Sequence, residues 1–139
     1  MNNPISYRVL VVDDYEPWRR SLCSILQKHP SLRVVAQAQD GFEAVQKAVE
    51  LKPDLVLLDI HLPDLDGIEV ASRIGHLMPG TKILFVSQIK NLDVVRAVIG
   101  DGVNGFVWKM DVAAELLVGI ETVLRGEKFF SRGVKDLKN

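Results

Sequence analysis

Five side chains able to do polar chemistry stand where apolar runs of this chain stop. Val9 to Val12 runs into Asp13 and Asp14, Leu55 to Leu58 into Asp59, Ile83 to Val86 into Ser87, and Gly105 to Trp108 into Lys109. Three carboxylates brought within a few ångströms repel one another, and burial sharpens the penalty. They need a cation. Oxygen donors with no His or Cys ligand spacing suit a hard ion, Mg²⁺ first and Mn²⁺ second. A carboxylate beside such an ion can attack a phosphoryl group and become an aspartyl phosphate. Lys109 would then supply fixed positive charge and Ser87 a hydroxyl donor for the peripheral oxygens. The chain has neither GxxxxGK[ST] nor GxGxxG, so the phosphoryl group must come from a donor other than a nucleotide bound here. Taken alone, Asp59 could equally be an ordinary turn residue.

The elements that must position these groups are read from periodicity. The stretch KPDLVLLDIHLPDLDG, residues 52–67, holds four apolar residues in a row between Pro53 and Pro63, the pattern of a strand buried on both faces. Strands are expected at 8–12, 32–38, 82–86 and 105–108 as well. Helices are expected after Asp14, which can cap the first, and after Asp40-Gly41, where Ala44, Val45, Ala48, Val49 and Leu51 are spaced for one buried face. A third helix runs from Asp66 or Gly67 to about Met78 and includes Leu77, and Pro79-Gly80 ends it. A fourth covers 91–99, closed by Gly100 and Gly102, and a fifth covers 112–125, stopped by Gly126. Strict alternation implies a parallel sheet with helices on both faces, a single-domain flavodoxin-like (βα)5 doubly wound α/β fold. In the strand order 2-1-3-4-5, Asp13 and Asp14 stand beside Asp59, with Ser87 and Lys109 on its other side.

Composition sets outer bounds. With 139 residues, 47% hydrophobic and 25% charged, the chain fits one domain with a proper core. Its net charge of −1 argues against nucleic-acid binding by this chain itself. Cys23, the only cysteine, excludes an intrachain disulfide and a Cys-based zinc site, and reads as a small buried hydrophobe. No leader pattern and no stretch long enough to span a bilayer is visible, so a reducing cytoplasm is the expectation.

The ordered set VLVVDD, LVLLDIHLPDLDG, ILFVS and GFVWK resembles the receiver domain of two-component response regulators, over residues 7–125. The likeness is strongest to receivers of LuxR/NarL-type transcription regulators. That resemblance implies a CheY-like fold with Asp59 as the phosphorylation site. It implies Asp14 as a direct ligand of Mg²⁺, Asp13 as a ligand through water, and His61 as a ligand by its backbone carbonyl. Ser87 would be the switch hydroxyl, Lys109 the phosphoryl-contacting amine and Phe106 the switch aromatic, turning inward on phosphorylation. The implied partner is a sensor histidine kinase. The implied output is a reshaped face of fourth helix, fifth strand and fifth helix. Such a protein is not a turnover enzyme; it catalyses only its own phosphorylation and dephosphorylation.

Some positions depart from the common pattern. Met110 follows the lysine where many receivers have a proline preceded by a cis bond, which a non-proline residue adopts only at a cost of about 2.5–4 kcal/mol. Gln88 follows the switch serine where a small residue is common. Phe106 stands where a tyrosine is frequent. Residues 1–126 read as the receiver and 127–139 as a tail or the start of a linker to an absent effector domain, through which alone DNA would be reached. Val94, Val98 and Leu117 suggest apolar surface for a homodimer on the output face. Two other readings stay open: an aspartyl-nucleophile phosphatase or phosphotransferase, and a pseudo-receiver that binds partners without taking phosphate.

Overall fold

The computed structural model describes residues 6–89, 91–100 and 103–135. The elements alternate as β1 (Tyr7–Val12), α1 (Glu16–Gln27), β2 (Leu32–Ala38), α2 (Gly41–Leu51), β3 (Leu55–Leu58), α3 (Gly67–Leu77), β4 (Lys82–Ser87), α4 (Leu92–Gly100), β5 (Gly105–Trp108) and α5 (Val112–Leu124). A 3₁₀ turn at Lys109–Asp111 joins β5 to α5, and a short β6 (Phe129–Phe130) and α6 (Arg132–Lys135) follow. The sheet is parallel throughout, in the order β2-β1-β3-β4-β5-β6. The expected flavodoxin-like order is therefore present, lengthened by a sixth strand within the segment expected as tail. Gly102, one of the two glycines expected to close α4, lies outside the described residues.

Alternation along each strand divides the core in two. Leu10, Val12, Val56, Leu58, Phe85 and Phe106 face α2, α3 and α4, while Val9, Val11, Leu55, Leu57, Val86 and Val107 face α1 and α5. All four residues of β3 are sealed from solvent, as a central parallel strand demands. Cys23 is buried on the α1 side, and burial pushes its thiol pKa up. Among the described residues no helix is long and apolar enough to cross a membrane.

Local chemistry sets the helix starts. The Asp40 carboxylate accepts the Glu43 N–H at 2.8 Å, and the Glu43 carboxylate accepts that of Gln39 at 2.8 Å, a reciprocal cap for α2. Asp66 caps α3 through the Glu69 N–H at 2.9 Å. Asp14 does not cap α1: extended Tyr15 occupies that position, and Pro17 pre-sets the first turn instead.

Two apolar expectations are corrected. Val49 is exposed rather than on the buried face, as is Leu77 at the end of α3, because the buried stripes of α2 and α3 run through Ala44 and Ala48 and through Val70 and Ile74. Val98 is core and Val94 and Leu117 are half-buried, and the large apolar residue that α5 exposes is Val118. The Lys109–Met110 peptide is trans, there being no cis bond among the described residues.

The sixth strand rests on small residues. A Cβ on Gly105 would meet the Phe129 carbonyl oxygen at 2.5 Å, and one on Gly119 would meet the Phe129 ring at 2.9 Å. The Ser131 N–H donates to the Phe106 carbonyl at 2.9 Å, and the Trp108 N–H donates to Ser131 Oγ at 3.0 Å. Phe130, Ser131 and Val134 are buried by this arrangement.

Candidate functional site

Strand register brings the sequence's polar endings to one edge. Val12 pairs with Leu58 and Ser87 with Trp108, so the next residues, Asp13, Asp59 and Lys109, meet at the carboxyl ends of β1, β3 and β5. The backbone fixes two of them further: the Asp59 N–H donates to Val12 O and the Asp13 N–H to Ala38 O, each at 3.1 Å. Behind Asp59, the Gly67 N–H donates to Ile60 O at 2.7 Å. A Cβ on Gly67 would strike the Asp59 carbonyl oxygen, so only glycine lets α3 begin this close to the acid.

Asp13, Asp14 and Asp59 each offer a carboxylate oxygen, and these lie within 4.8 Å of one another. Asp13 and Asp59 are 1% and 4% exposed, whereas Asp14 is open to solvent. Lys109 Nζ bridges the buried pair, 2.8 Å from Asp13 Oδ2 and 3.2 Å from Asp59 Oδ2. The other Asp13 oxygen accepts the Tyr15 N–H at 2.9 Å. Burial, and then the neighbouring Asp13 charge, raise the pKa of Asp59 despite the opposing lysine. One ammonium therefore does not satisfy this cluster. An all-oxygen donor set, two-thirds buried and still short of positive charge, fits a hard divalent cation such as Mg²⁺.

Ser87 is fully buried, and its Oγ accepts the Ile89 N–H at 3.1 Å, which leaves the hydroxyl proton to donate elsewhere. It lines one cleft with Asp14, Asp59 and Lys109, and exposed His61 and Gln88 stand on the rim. Phe106 does not reach this cleft. It is fully buried on the α4 side and meets Trp108 edge to face, with centroids 4.9 Å apart and planes at 79°. His29, in the loop after α1, pairs through its Nε2 with Glu121 Oε1 of α5 at 2.9 Å.

Sequence reasoning missed one contributor, Asp64. Trp18, whose closeness to Asp14 in the sequence already set it beside the acids, lines the cleft with its ring centroid 5.5 Å from Lys109 Nζ. Asp64 ties the loop after β3 to the start of α2, accepting the Gly41 and Phe42 N–H groups at 2.7 and 3.0 Å. Against the opposing effect of desolvation, those bonds and one from the Leu65 N–H together lower its carboxyl pKa. No sequence periodicity pairs residues so far apart.

Residues 9–121 match the family described as the response regulator receiver domain. The transcriptional regulatory protein LiaR of Bacillus subtilis is 36% identical over 120 residues, which is 86% of this chain and 57% of that protein. The response regulator protein VraR of Staphylococcus aureus is 35% identical over 127 residues, 91% of this chain and 60% of its own length. The chain thus spans less than two thirds of either relative. Among solved structures, a LuxR-family two-component response regulator from Aurantimonas sp. SI85-9A1 superposes with a TM-score of 0.88 at 29% identity, covering 94% of each chain. The response regulator domain of Thermotoga maritima CheB gives 0.79 at 35% identity, over 86% of this chain and 97% of that one.

Proposed function

The chain belongs to the response regulator receiver domain family, and from that premise we propose that Asp59 accepts a phosphoryl group from a sensor histidine kinase. The observation that carries this reading is the convergence of three carboxylate oxygens within 4.8 Å beside a lysine that cannot satisfy them all. An Asp59 oxygen attacks the phosphorus of the partner's phosphohistidine. The O–P bond forms as the N–P bond breaks, and the electron pair stays on the imidazole nitrogen. Lys109, already 3.2 Å from Asp59 Oδ2, pairs with the phosphoryl oxygens, and Ser87 turns its free proton towards them.

Asp13, Asp14, Asp59 and the His61 backbone carbonyl would hold Mg²⁺, with Mn²⁺ as an alternative. The ion would offset the charge of the acids and of the incoming phosphoryl oxygens. Asp14, exposed, suits direct ligation, and Asp13, with both oxygens engaged by the protein, suits a water-mediated role. His61 and Gln88 on the rim govern water's approach to the acyl phosphate and so its lifetime.

The switch starts from a packed Phe106, and new bonds at Ser87 and Lys109 reshape the α4–β5–α5 face from there. That face, with exposed Val118, is the proposed homodimer surface. We assign residues 1–126 to the receiver and 127–139 to a tail or linker whose first part, β6 and α6, packs on the receiver's sheet and which leads to a DNA-binding effector that controls transcription in the cytoplasm. The name of LiaR, a transcriptional regulatory protein of which this chain spans 57%, supports a transcriptional output.

With Mg²⁺ and acetyl phosphate, the chain should gain one acid-stable, base-labile phosphoryl group by intact-protein mass spectrometry. Asp59→Asn should abolish it. Labelling that survives the substitution would overturn the acceptor assignment.

A further inference from the structure

We propose that Trp18 is a positioning residue for phosphoryl transfer, holding the Lys109 ammonium at the acid cluster through the face of its indole ring. The inference rests on the acceptor reading above and extends it to α1. Lys109 Nζ lies 5.5 Å from the Trp18 ring centroid, within the range where a ring quadrupole attracts a cation. The lysine side chain is only 12% exposed, so water competes weakly for that charge.

Two features single out tryptophan at this position. First, the indole Nε1–H is buried with no hydrogen-bond partner among the described residues. A buried donor left unpaired is costly, and a leucine or phenylalanine would fill the α1 face without one. The compensating property that Trp18 brings is the ring face, on which indole outranks the other aromatics as a cation partner. Second, the other contacts of the ammonium change during the reaction. Asp59 Oδ2, 3.2 Å away, belongs to the group that becomes the acyl phosphate, and Asp13 Oδ2 belongs to the candidate cation site. The Trp18 ring takes part in neither change. It keeps the ammonium at the mouth of the cleft while its carboxylate partner is exchanged for phosphoryl oxygens.

The test has two readouts. In the phosphate-free protein, the Lys109 ε-methylene protons should be shifted upfield by the indole ring current, and the shift should disappear in Trp18→Leu. For transfer, Trp18→Leu should slow phosphorylation by acetyl phosphate by about 3- to 30-fold, the range expected of a partly desolvated cation–ring contact. Trp18→Phe should recover the rate to within about threefold, because a ring face is retained. In a Lys109→Ala background, Trp18→Leu should add no further loss. Unshifted lysine protons in the wild type would overturn the proposal, and so would equal losses from Trp18→Leu with and without Lys109. The proton shift needs no variant to fold. A wild-type chain that takes no phosphoryl group would overturn the acceptor reading while leaving the ring-current result to decide the contact.

Discussion

At the residue scale, Asp59 is held in a state its surroundings do not favour. Burial and the Asp13 charge raise its pKa, so the folded chain binds its proton more tightly than the unfolded chain does. A carboxyl of that kind lends stability at low pH, and the contribution is lost as pH rises from about 4 through the raised value. Metal-free protein should therefore lose stability over that window. Asp59→Asn should remove the loss, raising the melting temperature at pH 7 by about 2–5 °C. Thermal melts at several pH values in EDTA check this; a variant no more stable than wild type at pH 7 would contradict the electrostatic account. Trp18 offers a second local test. In a Trp108→Phe background its fluorescence should change on Mg²⁺ addition, because its neighbour Lys109 is paired with two of the acids concerned. A flat titration would argue against a metal site there.

At the element scale, the loop from β3 to α3 and the strand β6 carry the structural cost of the site. Gly67 lets α3 start against the Asp59 carbonyl, so Gly67→Ala must push the acid out of line. We expect a stability loss of about 1–3 kcal/mol, the usual cost of overpacking, together with slower phosphorylation. Urea unfolding and acetyl phosphate labelling measure the two effects. Ser131→Ala tests the other end of the sheet. It removes the acceptor for the Trp108 N–H and leaves that donor without its partner, at about 1–3 kcal/mol. A midpoint unchanged in urea would mean that the contact between β5 and the segment after it contributes nothing.

At the scale of the whole molecule, a cation that binds the folded chain alone must stabilise it. Mg²⁺ at 100 times its Kd should add about 2.7 kcal/mol. Asp14→Asn should remove most of that gain and leave the metal-free protein little changed, because Asp14 is exposed. Calorimetry with and without EDTA reads both quantities. Equal Mg²⁺ responses in the two proteins would take Asp14 out of the ligand set.

The sequence by itself determined the alternating elements, the parallel order and the identity of the polar strand endings. Each of these is written in local periodicity: four apolar residues in a row at Leu55 to Leu58, helical spacing at Ala44 and Ala48, an acid, a hydroxyl or an amine after four of the five runs. Only the tertiary structure decided what lies at right angles to the chain. A strand of two residues, Phe129–Phe130, is too short to show a period and exists because Gly105 and Gly119 leave room for it. Apolar counting misplaced Val49 and Val98, since a helix's buried stripe is set by what packs on it. The meeting of Trp18 with Lys109 joins the first helix to the fifth strand's end. Contacts across so many residues follow from packing, and no local pattern encodes them.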